Sequence, residues 1–153
     1  MNSGTHSRAK AEAGYVLVIK CESRVSLGIE SLGNPTLSEG MYLYVGSANI
    51  PNPLTRDLRH FRKSKKIRWH IDYVTSVCTP LYAFLVFGLS ESSLYVLLSK
   101  SFPPAVKGFG CTDKRDHETH LLRVSGGFDA RSLMNQLLDL GVEGIEVVAG
   151  EMN

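Results

Sequence analysis

Cysteine is scarce in this chain of 153 residues, and the three present, Cys21, Cys78 and Cys111, share no paired spacing. That argues against a disulfide-knotted scaffold and against a paired-cysteine zinc finger. The odd count predicts free thiols in a reducing compartment, and with it a cytoplasmic location. Long apolar runs are missing too. The longest, YVLVI and LYAFLVF, have the length of strands and fall far short of a membrane span. No membrane partner is expected. The opening residues MNSGTHSRAKAEAG lack the apolar core of a signal peptide and predict a disordered leader over 1–13. No nucleotide-binding glycine loop and no serine-nucleophile elbow occurs, which argues against those two enzyme classes.

What is present is a concentration of positive charge. The net charge is only +2, yet seven of the 17 Lys and Arg residues fall between positions 56 and 68. They are Arg56, Arg59, Arg62, Lys63, Lys65, Lys66 and Arg68, beside the single acid Asp57, a local +6. The remaining ten bases and fourteen acids sum to −4. A basic surface on an acidic body suits a polyanionic partner, nucleic acid above all. A solvated helix face is the plainer alternative.

Hydrophobic periodicity divides the chain into alternating element types. Strands are predicted over 15–20, 24–30, 41–46, 81–88, 119–124 and 144–150. The first is continuously apolar, as a strand covered on both faces should be. The third puts Met41, Leu43 and Val45 on one face and Tyr42 and Tyr44 on the other. A helix is expected to start near Leu54 with the stripe Leu54, Leu58 and Phe61. A second follows the Ser90 cap with Leu94, Leu97 and Leu98, and a third spans 129–142 behind the Asp129 cap. No element is assigned to 67–80. The mixture predicts one α/β or α+β domain, its main body over 14–124 and a helix–strand extension over 125–153 packed on it.

Several side chains have both a functional and a structural reading. Tyr15 and Tyr44, at strand ends, suit contact with a phosphate or a water, or a core role with a wet hydroxyl. Arg56 sits where the helix dipole disfavours a cation, which a bound phosphate would offset, and His60 lies one turn on. Glu91 suits either the dipole of its helix or a Mg²⁺ whose other ligands are water and phosphate. Cys111, Asp113, Asp116, His117 and His120 gather near one another without a recognised metal-ligand spacing. In WHID, a buried His70–Asp72 pair under Trp69 is expected rather than a catalytic dyad.

In order along the chain, GYV (14–16), YVGSA (44–48), RDLRHF (56–61), WHIDY (69–73), FGCTD (109–113) and THL (119–121) resemble the GIY-YIG nuclease superfamily. The likeness is closest to its DUF123-type branch. The resemblance implies a small central, mainly antiparallel sheet flanked by helices. It also implies an endonuclease hydrolysing nucleic-acid phosphodiesters, most naturally DNA and in the setting of DNA repair, with one Mg²⁺ or Mn²⁺. Carried over, Tyr15 and Tyr44 flank the scissile phosphate, Arg56 stabilises its charge, His60 assists proton transfer and Glu91 ligates the metal. Arg59, Arg62, Lys63, Lys65, Lys66 and Arg68 then hold flanking phosphates. A nucleic-acid-binding module without cleavage is the alternative. The Asn that many members carry after the metal-binding Glu is missing, since none occurs between Asn52 and Asn135.

Overall fold

A computed structural model describes residues 12–48, 59–62, 66–110, 119–124 and 128–149. The expected leader over 1–11, the helix start at Leu54 and Leu58, and the residues Cys111, Asp113, Asp116 and His117 lie outside these. Ala13 belongs to the fold rather than to a leader: it is buried and opens the first strand.

The sheet is built around β1 (Ala13–Cys21), whose apolar run reflects cover on both faces. Val16 and Val18 enter one core; Tyr15, Leu17, Ile19 and Cys21 enter the other. After the short β2 (Val25–Ser26) and β3 (Thr36–Leu37) comes β4 (Gly40–Ser47). The later strands are β5 (Thr79–Phe87), β6 (Leu121–Val124) and β7 (Gly144–Val148). Five of these form one sheet in the order β6-β4-β1-β5-β7, every neighbour antiparallel. With the flanking helices this is the α+β architecture expected from the sequence.

The helices are α1 (His70–Val77), α2 (Glu91–Ser99) and α3 (Ala130–Asp139). None is long and apolar enough to cross a membrane. As expected, Ser90 Oγ caps α2 by accepting from the Ser93 N–H, and the Asp129 carboxylate caps α3 by accepting from the Arg131 N–H. Leu94 and Leu98 of α2, with Leu133 and Leu137 of α3, seal the core on the Val16 and Val18 face. The C-terminal helix and strand are therefore part of the main sheet and its cover.

Two local expectations are corrected. The strand read over 24–30 shortens to Val25–Ser26, because Gly28 turns the chain at φ +70° and Glu30–Leu32 forms a 3-10 turn closed by left-handed Gly33. Helix α1 was not foreseen. Its Ile71, Val74, Thr75 and Val77 are β-branched and favour strands, but Ile71 and Val74 gain burial by packing on the sheet.

The cysteines differ as well. Cys21, ending β1, and Cys78, following α1, form a disulfide rather than free thiols, with Cα atoms 4.6 Å apart. They are 57 positions apart, a loop closure that stabilises by about 4 kcal/mol on the chain-entropy account. Sequence spacing carried no sign of it, because the pairing is made by folding alone.

Candidate functional site

The antiparallel register of β1 and β4 sets Tyr15 opposite Gly46 and Tyr44 opposite Leu17. The two tyrosines are thus diagonal neighbours on one face, with ring centroids 6.1 Å apart. Glycine at position 46 is required by this arrangement: a Cβ there would lie 2.2 Å from Tyr15 Cζ. The Tyr15 ring lies across that gap, and its hydroxyl meets His60 Nε2 at 2.8 Å. His60 is buried, on helical backbone, with its ring 5.3 Å from Tyr15 and edge-on at 6.4 Å from Tyr44. Tyr15, Tyr44 and His60, remote in sequence, therefore form one cluster.

Glu91 approaches the same strand ends from the other face. A Cβ at Gly14 would stand 3.3 Å from the Glu91 nitrogen, so the first turn of α2 abuts the start of β1. The Glu91 carboxylate faces His120, Oε2 to Nδ1 3.3 Å, and the His120 ring lies 5.7 Å from Tyr95. Gly110 joins the two groups. A Cβ there would be 3.2 Å from the Tyr44 ring and 3.5 Å from His120 Cβ, and its φ of +70° already favours glycine. Arg56, Lys63 and Lys65 lie outside the described residues.

The basic residues that are described split into two kinds. Arg62, Lys66 and Arg68 are exposed, as a phosphate-binding surface needs. Arg59 is committed internally. Its guanidinium donates to Asp72 Oδ1 at 2.5 Å and to the Lys66 carbonyl at 2.6 Å, and stands 4.8 Å from the Trp69 ring centroid. This also corrects the expected His70–Asp72 pair. Residues two apart on a helix do not face each other, so α1 turns them in different directions. Asp72, fully buried, accepts from Arg59 and from the N–H groups of Arg68 and Trp69, reaching back to cap its own helix. Trp69, expected to cover the pair, is 42% exposed.

The pKa directions follow from this geometry. Burial pushes the Asp72 carboxyl upward, but the Arg59 hydrogen bond, the Trp69 and Arg68 N–H groups and the Arg59 charge outweigh it, so its pKa is lowered. Burial lowers that of His70. The Gly110 N–H donates to His70 Nδ1 at 2.9 Å, which leaves the ring proton on Nε2 in the neutral form. His70 borders a cavity of about 610 Å³, whose walls also include Tyr44, Arg68, Trp69 and Tyr73.

A family model described as a domain of unknown function, DUF123, matches residues 14–141. The chain belongs to the DUF123 family. No curated protein and no solved structure matches it.

For the DUF123 chain, the donor set bears on the kind of metal it suits. Among the described residues no three His, Cys, Asp or Glu side chains gather as a transition-metal cage would require. A hard divalent ion asks for less: one or two carboxylates, with water and phosphate oxygens completing the shell. Glu91, 17% exposed at its side chain and with one oxygen 3.3 Å from His120 Nδ1, fits that role.

Sequence reasoning missed His120 as the neighbour of Glu91. It was visible as one member of a polar cluster, but only the entry into β6 carries it to α2. His70 and Tyr73 as cavity walls were missed for a related reason: the unforeseen α1 presents them.

Proposed function

We propose that this DUF123 chain is a GIY-YIG-type endonuclease that hydrolyses nucleic-acid phosphodiester bonds, with DNA the favoured substrate. The observation that carries the reading is the 2.8 Å contact between Tyr15 and His60, 45 residues apart, with Tyr44 against both rings. A purely structural sheet end has no need of two phenols and an imidazole collected in this way.

Phosphodiester hydrolysis asks a protein mainly for charge stabilisation and an oriented water. Glu91 would hold a Mg²⁺ or Mn²⁺, which when bound would supply neutralisation of phosphoryl charge and a more acidic water. The chain's own groups do the rest. In the tautomer with its ring proton on Nδ1, His60 accepts the Tyr15 hydroxyl proton in their hydrogen bond, which makes the phenol oxygen a better acceptor toward a water. Tyr44 offers a phenolic donor to a phosphoryl oxygen. Arg56 adds a cation to the transition state, and Arg62, Lys63, Lys65, Lys66 and Arg68 hold phosphates on either side. Arg59 is withdrawn from that set, because Asp72 holds it.

The non-cleaving nucleic-acid-binding module is the second reading. One observation favours it: the Glu91 carboxylate already faces a histidine at 3.3 Å. Cytoplasm is the proposed location for either, as a compartment where nucleic acid is met. The Cys21–Cys78 bond is compatible with it, since both cysteines are buried and access governs exchange with thiols.

A cleavage assay decides between the two. With Mg²⁺ or Mn²⁺ the chain is expected to cut DNA, and Glu91→Ala is expected to slow cutting by about 100-fold or more while leaving metal-free DNA binding in place. Cutting of equal rate in that variant refutes the catalytic role of Glu91. Binding without any cutting favours the second reading.

A further inference from the structure

The cavity beside Tyr44 shares Tyr44 and Arg68 with the reading above, while its other walls, Ile29, Ile67, Trp69, His70 and Tyr73 among them, are given no role there. It is about 610 Å³, within the range that encloses small ligands. Tyr44, Trp69 and Tyr73 are among its lining residues, as are Ile29 and Ile67. Trp69 and Ile67 are 42% and 40% exposed, so both are accessible from the cavity side to a ligand.

We propose that this cavity receives one unpaired nucleobase adjacent to the cleavage position, so that the preferred substrate is a strand carrying an unpaired nucleotide. The proposal rests on the nuclease reading and adds its substrate class. Flat aromatic walls match a base, whose faces stack on such rings whatever the sequence. Two polar groups match its edge. His70 accepts the Gly110 N–H at Nδ1, so the neutral ring has its proton on Nε2, the donor this reading assigns to a base carbonyl or ring nitrogen. Glu30, also in the lining, provides an acceptor for an exocyclic amine. Its negative charge also opposes a phosphate inside the cavity, which leaves the phosphates to Arg68 at the border and to the basic surface beyond.

Location links the cavity to the chemistry. Tyr44 is a wall of the cavity and at the same time lies 6.1 Å, ring to ring, from Tyr15. A base seated there puts its own backbone phosphate next to the Tyr15–His60 cluster. A stacked, paired base cannot enter a recess and must first leave the helix, which is easiest where it has no partner.

Trp69 is the chain's single tryptophan, so its emission reports on this cavity alone. The test uses the full chain, without divalent metal, and three labelled duplexes of equal length: fully paired, with one bulged nucleotide, and with the same bulge lacking its base. Anisotropy is expected to show roughly tenfold tighter binding of the bulged duplex than of the other two. Only the bulged duplex should quench Trp69 emission strongly. Trp69→Ala is expected to bring the ratio of bulged to paired affinity close to one, and Trp69→Phe to restore most of it by keeping a stacking face. Equal affinity for all three wild-type ligands overturns the proposal and needs no variant to be folded. Cutting of paired DNA alongside that equality would leave the nuclease reading intact. A bulge preference with no cutting in Mg²⁺ or Mn²⁺ would uphold the base cavity and reject the nuclease. Absence of binding to every duplex at low salt rejects both.

Discussion

Strands β1 and β4 send Val16, Val18, Leu43 and Val45 to one side of the sheet and Tyr15, Leu17, Tyr42 and Tyr44 to the other. The first side is closed by α2 and α3 through Leu94, Leu98, Leu133 and Leu137, a largely aliphatic contact. The second carries rings with polar tips, and His60, Asp72 and His120 are buried near it or at its end. The same alternation of side chains thus gives one face that is mainly apolar packing and one that gathers phenols and buried polar groups. Glu91 is the exception that connects them: it begins a helix of the first face, yet its carboxylate faces His120, next to β6.

That contrast can be broken by substitution. Leu94 is fully buried and touches Gly14, so Leu94→Ala should lower unfolding free energy by about 2–5 kcal/mol in denaturant titrations. DNA binding by the fraction still folded should be unchanged; a loss limited to DNA binding would mean that the faces are not separable. Gly46→Ala acts on the other face. The added methyl meets the buried Tyr15 ring, so overpacking of about 1–3 kcal/mol is expected, and with it loss of the Tyr15–His60 contact. Cleavage should then fall about as far as in Tyr15→Phe. Full activity in Gly46→Ala would remove that contact from the mechanism.

The smallest expected effect is a pH slope. The His70 pKa is lowered from 6.5 in the folded chain. At pH above 6.5 the ring is neutral whether folded or not, and its contribution is complete. As pH falls below 6.5, the unfolded chain takes a proton that the folded chain resists, so stability declines with acidification. Asp72, also lowered, adds a further decline below 3.8, where the unfolded carboxyl protonates first. Melting measured across both windows should show two steps, and His70→Gln should erase only the upper one. An upper step that survives in His70→Gln assigns it to another group.

The fold was readable wherever a pattern repeats within one element. The uninterrupted apolar run of β1, the alternation in β4 and the caps Ser90 and Asp129 are local signals, and each led to the right element. Helix α1 was not readable, since Ile71, Val74 and Thr75 carry the opposite propensity and are helical because of what they pack on. Within the site, Tyr15, Tyr44, His60 and Glu91 stood out by residue type and order. The partners of Arg59, Asp72 and His120 did not, because a contact between distant positions leaves no periodic trace.

Sequence alone determined the strand alternation, and so which side chains share a face, since a period of two is set by backbone geometry. It also determined where charge accumulates. Tertiary structure alone decided which arginine is spent on a buried carboxylate, which cysteines join, and that a tyrosine hydroxyl meets a histidine 45 residues away. Those outcomes depend on distances that exist only once the sheet has closed and the helices have docked.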